Sequence, residues 1–174
     1  MQQSTGNKNR LRYLLEKEEE DVLKDAEHLK QALCKLRFEG RQHHKKNLSK
    51  ASSALVILKE RLFSHMEDEE NHLFPFLVTR LPRFESARHL FLSEHREFRE
   101  KIKNVGMLLK RLKLGGKESR TGTLIQEVYA EGMYLTCLIL SHVKIEGRRL
   151  YQAIKNELTE VEKKRLTNLL ILNS

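Results

Sequence analysis

Apolar residues recur at intervals of three and four along most of the chain, which is the spacing of one face of an α-helix. The first series predicts a helix over residues 10–38 that ends before Gly40. The second series, which ends with Met66, Leu73 and Phe76, predicts a helix over residues 42–80 that includes Pro75. We expect a kink at that residue because proline has no N–H to donate within the helix.

Two more apolar series and a terminal segment follow. The third series begins near Phe84 and ends at the glycine-containing segment LGGKESRTG, and the fourth begins near Leu124. The terminal segment LTEVEKKRLTNLLIL starts with the pattern of a capping box, Thr159 followed three residues later by Glu162. This pattern predicts a short fifth helix.

Four long helices with short connections predict an all-α fold, an up-down-up-down four-helix bundle with a short C-terminal helix. The 174 residues are enough for one continuous core. We therefore predict a flexible N-terminal tail over residues 1–9, the bundle over 10–157 and the C-terminal helix over 158–174.

The composition adds two expectations. No apolar run reaches the roughly 20 residues of a membrane span, and the first residues lack the apolar segment of a signal peptide, so we expect a cytoplasmic protein. Cys34 and Cys137 each lie in a helical pattern, where a small apolar residue would fit. We predict that both are free thiols.

The net charge of +9 would suit a polyanionic partner. However, no zinc-finger spacing, RNP-like aromatic motif or recognition-helix pattern accompanies it, so the sequence has no specific nucleic-acid-binding motif. Basic residues cluster near two turns that an alternating topology places at the same end of the bundle. They are Arg41, Lys45, Lys46 and Lys50, and Lys110, Arg111, Lys113, Lys117 and Arg120. This basic end either keeps the surface solvated or docks an anionic partner.

The pattern HxxxE appears twice, as His65 with Glu69 and as His142 with Glu146. Residues four apart lie on the same face of a helix, so each pair can direct a nitrogen and an oxygen towards one point. One such pair is common in a highly charged chain. Both pairs here lie on or beside an apolar series, and burying them costs several kcal/mol unless a partner or a cation compensates them.

Positions along the bundle bring a third histidine to the same level. When two residues lie at equal depth in adjacent antiparallel helices, the mean of their residue numbers falls at the turn that connects the helices. His65 and His95 have their midpoint at 80, beside Pro82, and His95 and His142 have theirs between 118 and 119, in GGKES. Nitrogen and carboxylate ligands that converge inside a four-helix bundle are the arrangement that holds two iron or manganese ions.

The same residues give the chain a resemblance to a known family. The stretches SHMEDEENHLFPFL, SEHREFREKI and SHVKIEGRRLY resemble helices two to four of the hemerythrin-like HHE cation-binding domain of bacterial type. The resemblance covers about residues 11–155. It implies two iron ions bridged by oxide or hydroxide, with manganese as the alternative metal. It also implies five ligands, His65, Glu69, His95, His142 and Glu146.

The family has one more ligand, a histidine on helix one, and two residues compete for this place. Glu19 is followed by apolar residues at plus three, seven and ten, and its midpoint with His65 falls at the first turn. His28 has charged and polar neighbours on its face of the helix. We predict Glu19 as the sixth ligand and keep His28 as the alternative. Glu70 either hydrogen-bonds to a ligand or is a surface carboxylate.

Two departures from the oxygen-carrying hemerythrins bear on function. Phe91 stands where such a carrier has a second histidine on helix three, and helix four has HxxxE rather than HxxxxD. A site of three histidines and three carboxylates favours ferric iron and leaves a coordination position open. The resemblance thus implies a diiron protein that binds, senses or reacts with oxygen, peroxide or nitric oxide.

Two hypotheses therefore stand. One is this diiron protein, whose enzymatic version would be a peroxide-consuming redox protein that acts in oxidative stress. The alternative is a structural or partner-recruiting helical bundle that docks through its basic end.

Overall fold

The computed structural model of the chain describes the backbone of residues 3–115 and 118–173, and the side chains of residues 10–11, 13–115 and 121–172. Within these ranges the protein is helical and has no strand, which confirms the predicted fold class. The α-helices are α1 (Gln3–Phe38), α2 (His44–Asp68), α3 (Phe74–Arg80), α4 (Glu85–Leu114), α5 (Glu118–Glu157) and α6 (Glu160–Asn173).

Short irregular turns separate several of these helices. Arg41–His43 and Pro82–Phe84 form 3₁₀ turns, and Glu69–Leu73 forms a π-helical turn between α2 and α3. Contacts of α1 with α2 and α5, and of α4 with α2 and α5, close the four-helix bundle. The short helix α6 packs on α1 and on the π-helical turn.

Two helices begin earlier than predicted. The backbone of α1 is helical from Gln3, within the segment 1–9 that we predicted to be a tail. The helix α5 begins at Glu118 and continues through Gly122, so the predicted connection LGGKESRTG was too long. A single glycine costs a helix only about 1 kcal/mol, which a long packed helix tolerates. The helix α4 ends instead at Gly115, whose φ of 76° suits only glycine.

The predicted kink at Pro75 takes the form of the π-helical turn that precedes this residue. Pro75 lies in the first turn of α3, where its missing N–H is not needed. The N–H of Phe74 donates to the carbonyl of Glu69, five residues back. The wider turn shifts the apolar face by about one residue. Phe74 and Leu77 are consequently buried, whereas Phe76, which we predicted in the apolar series, is only half-buried.

The core consists of two apolar clusters with a polar layer between them. The aliphatic cluster lies towards the α1–α2 and α4–α5 turns and includes Leu29, Leu33, Leu58, Leu62 and Ile139. The aromatic cluster lies towards α6 and includes Phe74, Phe84, Phe91, Leu150 and Leu166. Histidine and glutamate side chains of α2, α4, α5 and the π-helical turn lie between the two clusters.

Two findings in the described residues bear on the expectations from composition. Cys34 is half-buried and Cys137 is exposed, and both are free thiols, as predicted. None of the helices in the described ranges has the length and apolarity that a membrane crossing requires.

Candidate metal centre

Five side chains converge in the polar layer. His65 comes from the last turn of α2, Glu69 from the start of the π-helical turn, His95 from α4, and His142 and Glu146 from α5. None of them is more than 7% exposed. The structure thus brings together five of the six residues that the sequence predicts as ligands.

The five side chains form two groups that share one carboxylate. His65, Glu69 and Glu146 form one group, and His95, His142 and Glu146 form the other. Within each group the candidate ligand atoms all lie within 4.8 Å of one another. Each group could hold a cation, and Glu146 belongs to both.

The buried carboxylates of Glu69 and Glu146 lie close to histidines, but most of their oxygens have no hydrogen bond. Glu69 Oε1 lies 3.4 Å from His65 Nε2, and Glu69 Oε2 lies 3.5 Å from His95 Nε2. Glu146 Oε2 lies 2.6 Å from His142 Nε2, but the angles of this contact are not those of a hydrogen bond. Glu69 Oε2 and both Glu146 oxygens are left without a hydrogen-bond partner. Such buried polar atoms are costly unless a cation or a water molecule satisfies them.

Carboxylates at the outer nitrogens (Nδ1) of two imidazoles determine the tautomer of each ring, and hence what the inner nitrogen (Nε2) presents to the site. His95 Nδ1 lies 2.8 Å from Glu70 Oε1, and His142 Nδ1 lies 2.7 Å from Glu94 Oε2. An ionised carboxylate only accepts, so each Nδ1 carries the hydrogen and each neutral ring presents a lone pair at Nε2. The two Nε2 atoms are 3.3 Å apart. Two lone pairs at this distance repel each other unless a proton or a metal ion lies between them.

Burial and neighbouring charges shift the pKa values of the converging side chains. Burial, with His142 nearby, lowers the pKa of His95 to about 2. Burial and the charge of Glu146 raise the pKa of Glu69 well above its usual range. Burial opposes charge on His142 as well, but Glu146 and Glu94 outweigh it and raise its pKa. The same two carboxylates thus stabilise positive charge on the His142 ring.

Comparison with known proteins identifies this arrangement. Residues 9–154 match the family model of the hemerythrin HHE cation-binding domain. The chain belongs to this family. The match includes all the converging side chains of this HHE domain and ends before α6. No curated protein matches the chain.

The two candidates for the sixth ligand of the HHE domain lie in different surroundings. The carboxylate of Glu19 lies against the backbone of Gly147, where an added Cβ would be 2.4 Å from Glu19 Oε2. Burial raises the pKa of Glu19 to about 7, although the charge of His65 opposes the shift. The side chain of His28 is 58% exposed, and its nearest carboxylate, on Asp25, is 4.0 Å away. Glu19 thus lies at the edge of the site and outside both groups, while His28 faces solvent. Whether Glu19 binds metal stays a prediction.

Three carboxylates face the outer nitrogens of the three histidines. The distances to Nδ1 are 3.6 Å from Glu18 to His65, 2.8 Å from Glu70 to His95, and 2.7 Å from Glu94 to His142. Sequence reasoning left the role of Glu70 open and missed Glu18 and Glu94. One signal was present, since each carboxylate is adjacent in sequence to a predicted ligand. Each nevertheless reaches a histidine on a neighbouring helix, which adjacency alone does not indicate.

Buried phenylalanines hold the rings of His95 and His142. Phe74 stacks on His95 with ring centroids 5.9 Å apart, and Phe98 meets His142 edge-on at 4.9 Å. Phe91 also meets His142 edge-on. The three phenyl rings keep this side of the site apolar.

Proposed function

We propose that this HHE domain is a non-haem diiron protein that binds, senses or reacts with oxygen, peroxide or nitric oxide. The observation that supports two metal ions is the position of Glu146, a buried carboxylate common to two groups of three ligands. Dinuclear sites in four-helix bundles are built from histidines and carboxylates that project inward from facing helices.

The residues present fit such a metal pair. His65 and Glu69 would hold one ion and His95 and His142 the other, with Glu146 between them. Nitrogen and carboxylate ligands suit iron and manganese. The unsatisfied oxygens of Glu69 and Glu146 and the facing Nε2 atoms of His95 and His142 are the atoms that a cation would satisfy. When bound, two iron ions would supply a redox-active centre for a diatomic ligand or peroxide.

The surrounding side chains have roles of their own in this proposal. Glu70 and Glu94 hold the hydrogens of His95 and His142 on Nδ1 and so aim both Nε2 lone pairs inward. Packed aromatic rings exclude water on that side. Glu19, whose pKa is about 7, can hold or release a proton at the edge of the site near neutral pH.

The first test is the metal content of the purified protein. We expect about two iron ions per chain, as in other dinuclear bundle sites. His65→Ala and His142→Ala should each remove at least one ion and lower the thermal stability, because a bound metal stabilises the folded state. His89→Ala is the matched control, since the side chain of His89 is 69% exposed and contacts the carboxylate of Glu85 on its own helix. Unchanged iron content in both site variants would refute the proposal.

A second measurement separates the versions of the proposal. Catalytic consumption of added peroxide by the iron-loaded protein would support the enzyme, and stoichiometric binding of oxygen or nitric oxide without turnover would support a sensor. A wild-type protein that holds no metal when purified, and takes none up anaerobically, would instead favour the structural bundle that docks through its basic end.

A further inference from the structure

A small depression opens on the surface beside His65. Its volume is about 170 Å³, and α1 and α2 form its walls. The residues that line it are Glu18, Asp21, Arg61, Ser64, His65 and Asp68. We call it the acidic depression.

His65 joins this depression to the polar layer. Its Nε2 faces Glu69 inside the protein, at 3.4 Å, while the ring also lines the depression. The residue is only 7% exposed, and its Nδ1 has no hydrogen-bond partner. Glu18 Oε2, the nearest carboxylate oxygen, lies 3.6 Å away, which is too far for a hydrogen bond. The imidazole of His65 therefore lies between the acidic depression and the buried group of His65, Glu69 and Glu146, with an Nδ1 that is still free to take a partner.

The charge of the depression is opposite to that of the whole chain. Three carboxylates and one guanidinium line it, whereas the chain has a net charge of +9. The guanidinium of Arg61 is itself held by two carboxylates, with Nε 2.5 Å from Asp25 Oδ2 and Nη1 3.3 Å from Asp21 Oδ2. The carboxylates of the depression would thus attract a cation to this point of a protein whose net charge is positive.

The other two histidines of the polar layer differ from His65 at their outer nitrogens. Glu70 and Glu94 occupy Nδ1 of His95 and of His142, and phenyl rings pack against both imidazoles. Of these three histidines, His65 is the one whose Nδ1 has no hydrogen-bond partner and whose ring lines the acidic depression.

We propose that the acidic depression is a loading site, where a hydrated divalent cation such as Fe²⁺ is collected before it moves past His65 to the group of His65, Glu69 and Glu146. This inference rests on the proposed metal-binding function. Carboxylate and hydroxyl oxygens can replace part of the water shell of a hard cation. The guanidinium of Arg61 limits how tightly the cation is held, which suits transient capture rather than storage.

The test measures the rate and the extent of iron uptake separately. Metal-free protein is mixed with Fe²⁺ without oxygen at low ionic strength, and the free iron in timed samples is determined with a chromogenic chelator. The double variant Asp21→Asn/Asp68→Asn removes two charges with little change of shape. Glu60→Gln is the matched control, because Glu60 is an exposed carboxylate of α2 that does not line the depression.

We expect the double variant to load about tenfold more slowly than wild type and to reach the same final iron content. Glu60→Gln should load within about twofold of the wild-type rate, and added salt should reduce the wild-type advantage. Equal rates for wild type and the double variant would overturn the loading role while leaving the metal site intact. A lower final content at an unchanged rate would also overturn it, since these residues would then be part of the final site. Wild-type protein that takes up no iron would refute the proposed function, and the loading role with it.

Discussion

The two halves of the polar layer differ in how completely their side chains are held. In the closed half, Nδ1 of His95 and Nδ1 of His142 each lie at hydrogen-bond distance from a carboxylate, and the two Nε2 atoms face each other. In the open half, His65 has an outer nitrogen without a hydrogen-bond partner, and its contact with Glu69 is 3.4 Å long. One half is thus pre-organised for a cation, and the other is accessible.

This difference follows from which neighbours each half has. Aromatic rings surround the closed half, so its polar atoms must be satisfied by one another. The open half lies beside the acidic depression between α1 and α2, where water can form hydrogen bonds to a nitrogen or an oxygen. We infer that the closed half would retain its metal more firmly and that exchange would begin in the open half.

The largest expected effect comes from the carboxylate that both halves share. Glu146→Ala should remove both metal ions, because it deletes a ligand from each group, and we expect affinity to fall by more than about 100-fold. His65→Ala should leave one ion, in the closed half. Iron per chain, measured after gel filtration, distinguishes the two results. Retention of two ions by Glu146→Ala would show that the halves do not share this residue as a ligand.

The carboxylates that face the histidine Nδ1 atoms, here called the outer carboxylates, allow a second test of how firmly each half is organised. Glu94→Gln should weaken metal binding by about 10- to 100-fold, since it replaces the charged acceptor that orients His142 with a weaker, neutral one. Glu18→Gln should change equilibrium affinity by less than about threefold, because Glu18 does not form a hydrogen bond to His65. Competition with a chelator of known affinity measures both. Equal losses would mean that the open half is as firmly organised as the closed one.

Sequence periodicity predicted the bundle and the level of the site, because buried helix faces and antiparallel turns obey simple geometry. His65, His95 and His142 meet where the midpoints of their numbers predict. The π-helical turn was not predictable from a period of 3.6, since the wider turn changes the phase within five residues. As a result Phe74, which stacks on His95, was absent from the predicted apolar series.

The roles of the outer carboxylates could not be predicted from the pattern of one helix, because they depend on how neighbouring helices pack. Glu94 lies on α4, directly before His95, but it contacts His142 on α5. Its role therefore depends on how α4 and α5 are rotated against each other. The difference between Glu18 and Glu94 is likewise a matter of packing between helices. Both precede a predicted ligand by one residue, and only Glu94 comes within hydrogen-bond distance of a histidine.

The third prediction concerns the pH dependence of the metal-free protein. The pKa of Glu19 is raised to about 7, so its contribution to stability is fully present below its usual value near 4.5 and is lost as pH rises through about 7. Glu19→Gln imitates the protonated form. At pH 8 it should raise the free energy of unfolding by about 1 kcal/mol, a discounted figure because solvent screens this partly exposed carboxyl.

At pH 5 the same variant should match wild type in stability. Comparing the two proteins at each pH removes the contribution of His95, whose lowered pKa makes folding less favourable in acid. Urea unfolding with a chelator present measures the difference. A variant that is equally stable at pH 5 and pH 8 relative to wild type would mean that Glu19 is not crowded by the other carboxylates.

The smallest expected effect concerns the glycine beneath Glu19. Gly147→Ala would place a Cβ 2.4 Å from the carboxylate of Glu19, which must then swing away from the site. Gly122→Ala, on the same helix, meets no atom within 4 Å and should simply stabilise α5 by about 0.5–1 kcal/mol. If Glu19 supports the open half, Gly147→Ala should weaken metal binding about threefold, in the same direction as Glu19→Ala, while Gly122→Ala and His28→Ala leave it unchanged. Chelator competition on the four variants compares them directly. Weaker binding in His28→Ala but not in Gly147→Ala would transfer the sixth-ligand role to His28, and it would require α1 to be rotated relative to the arrangement described above.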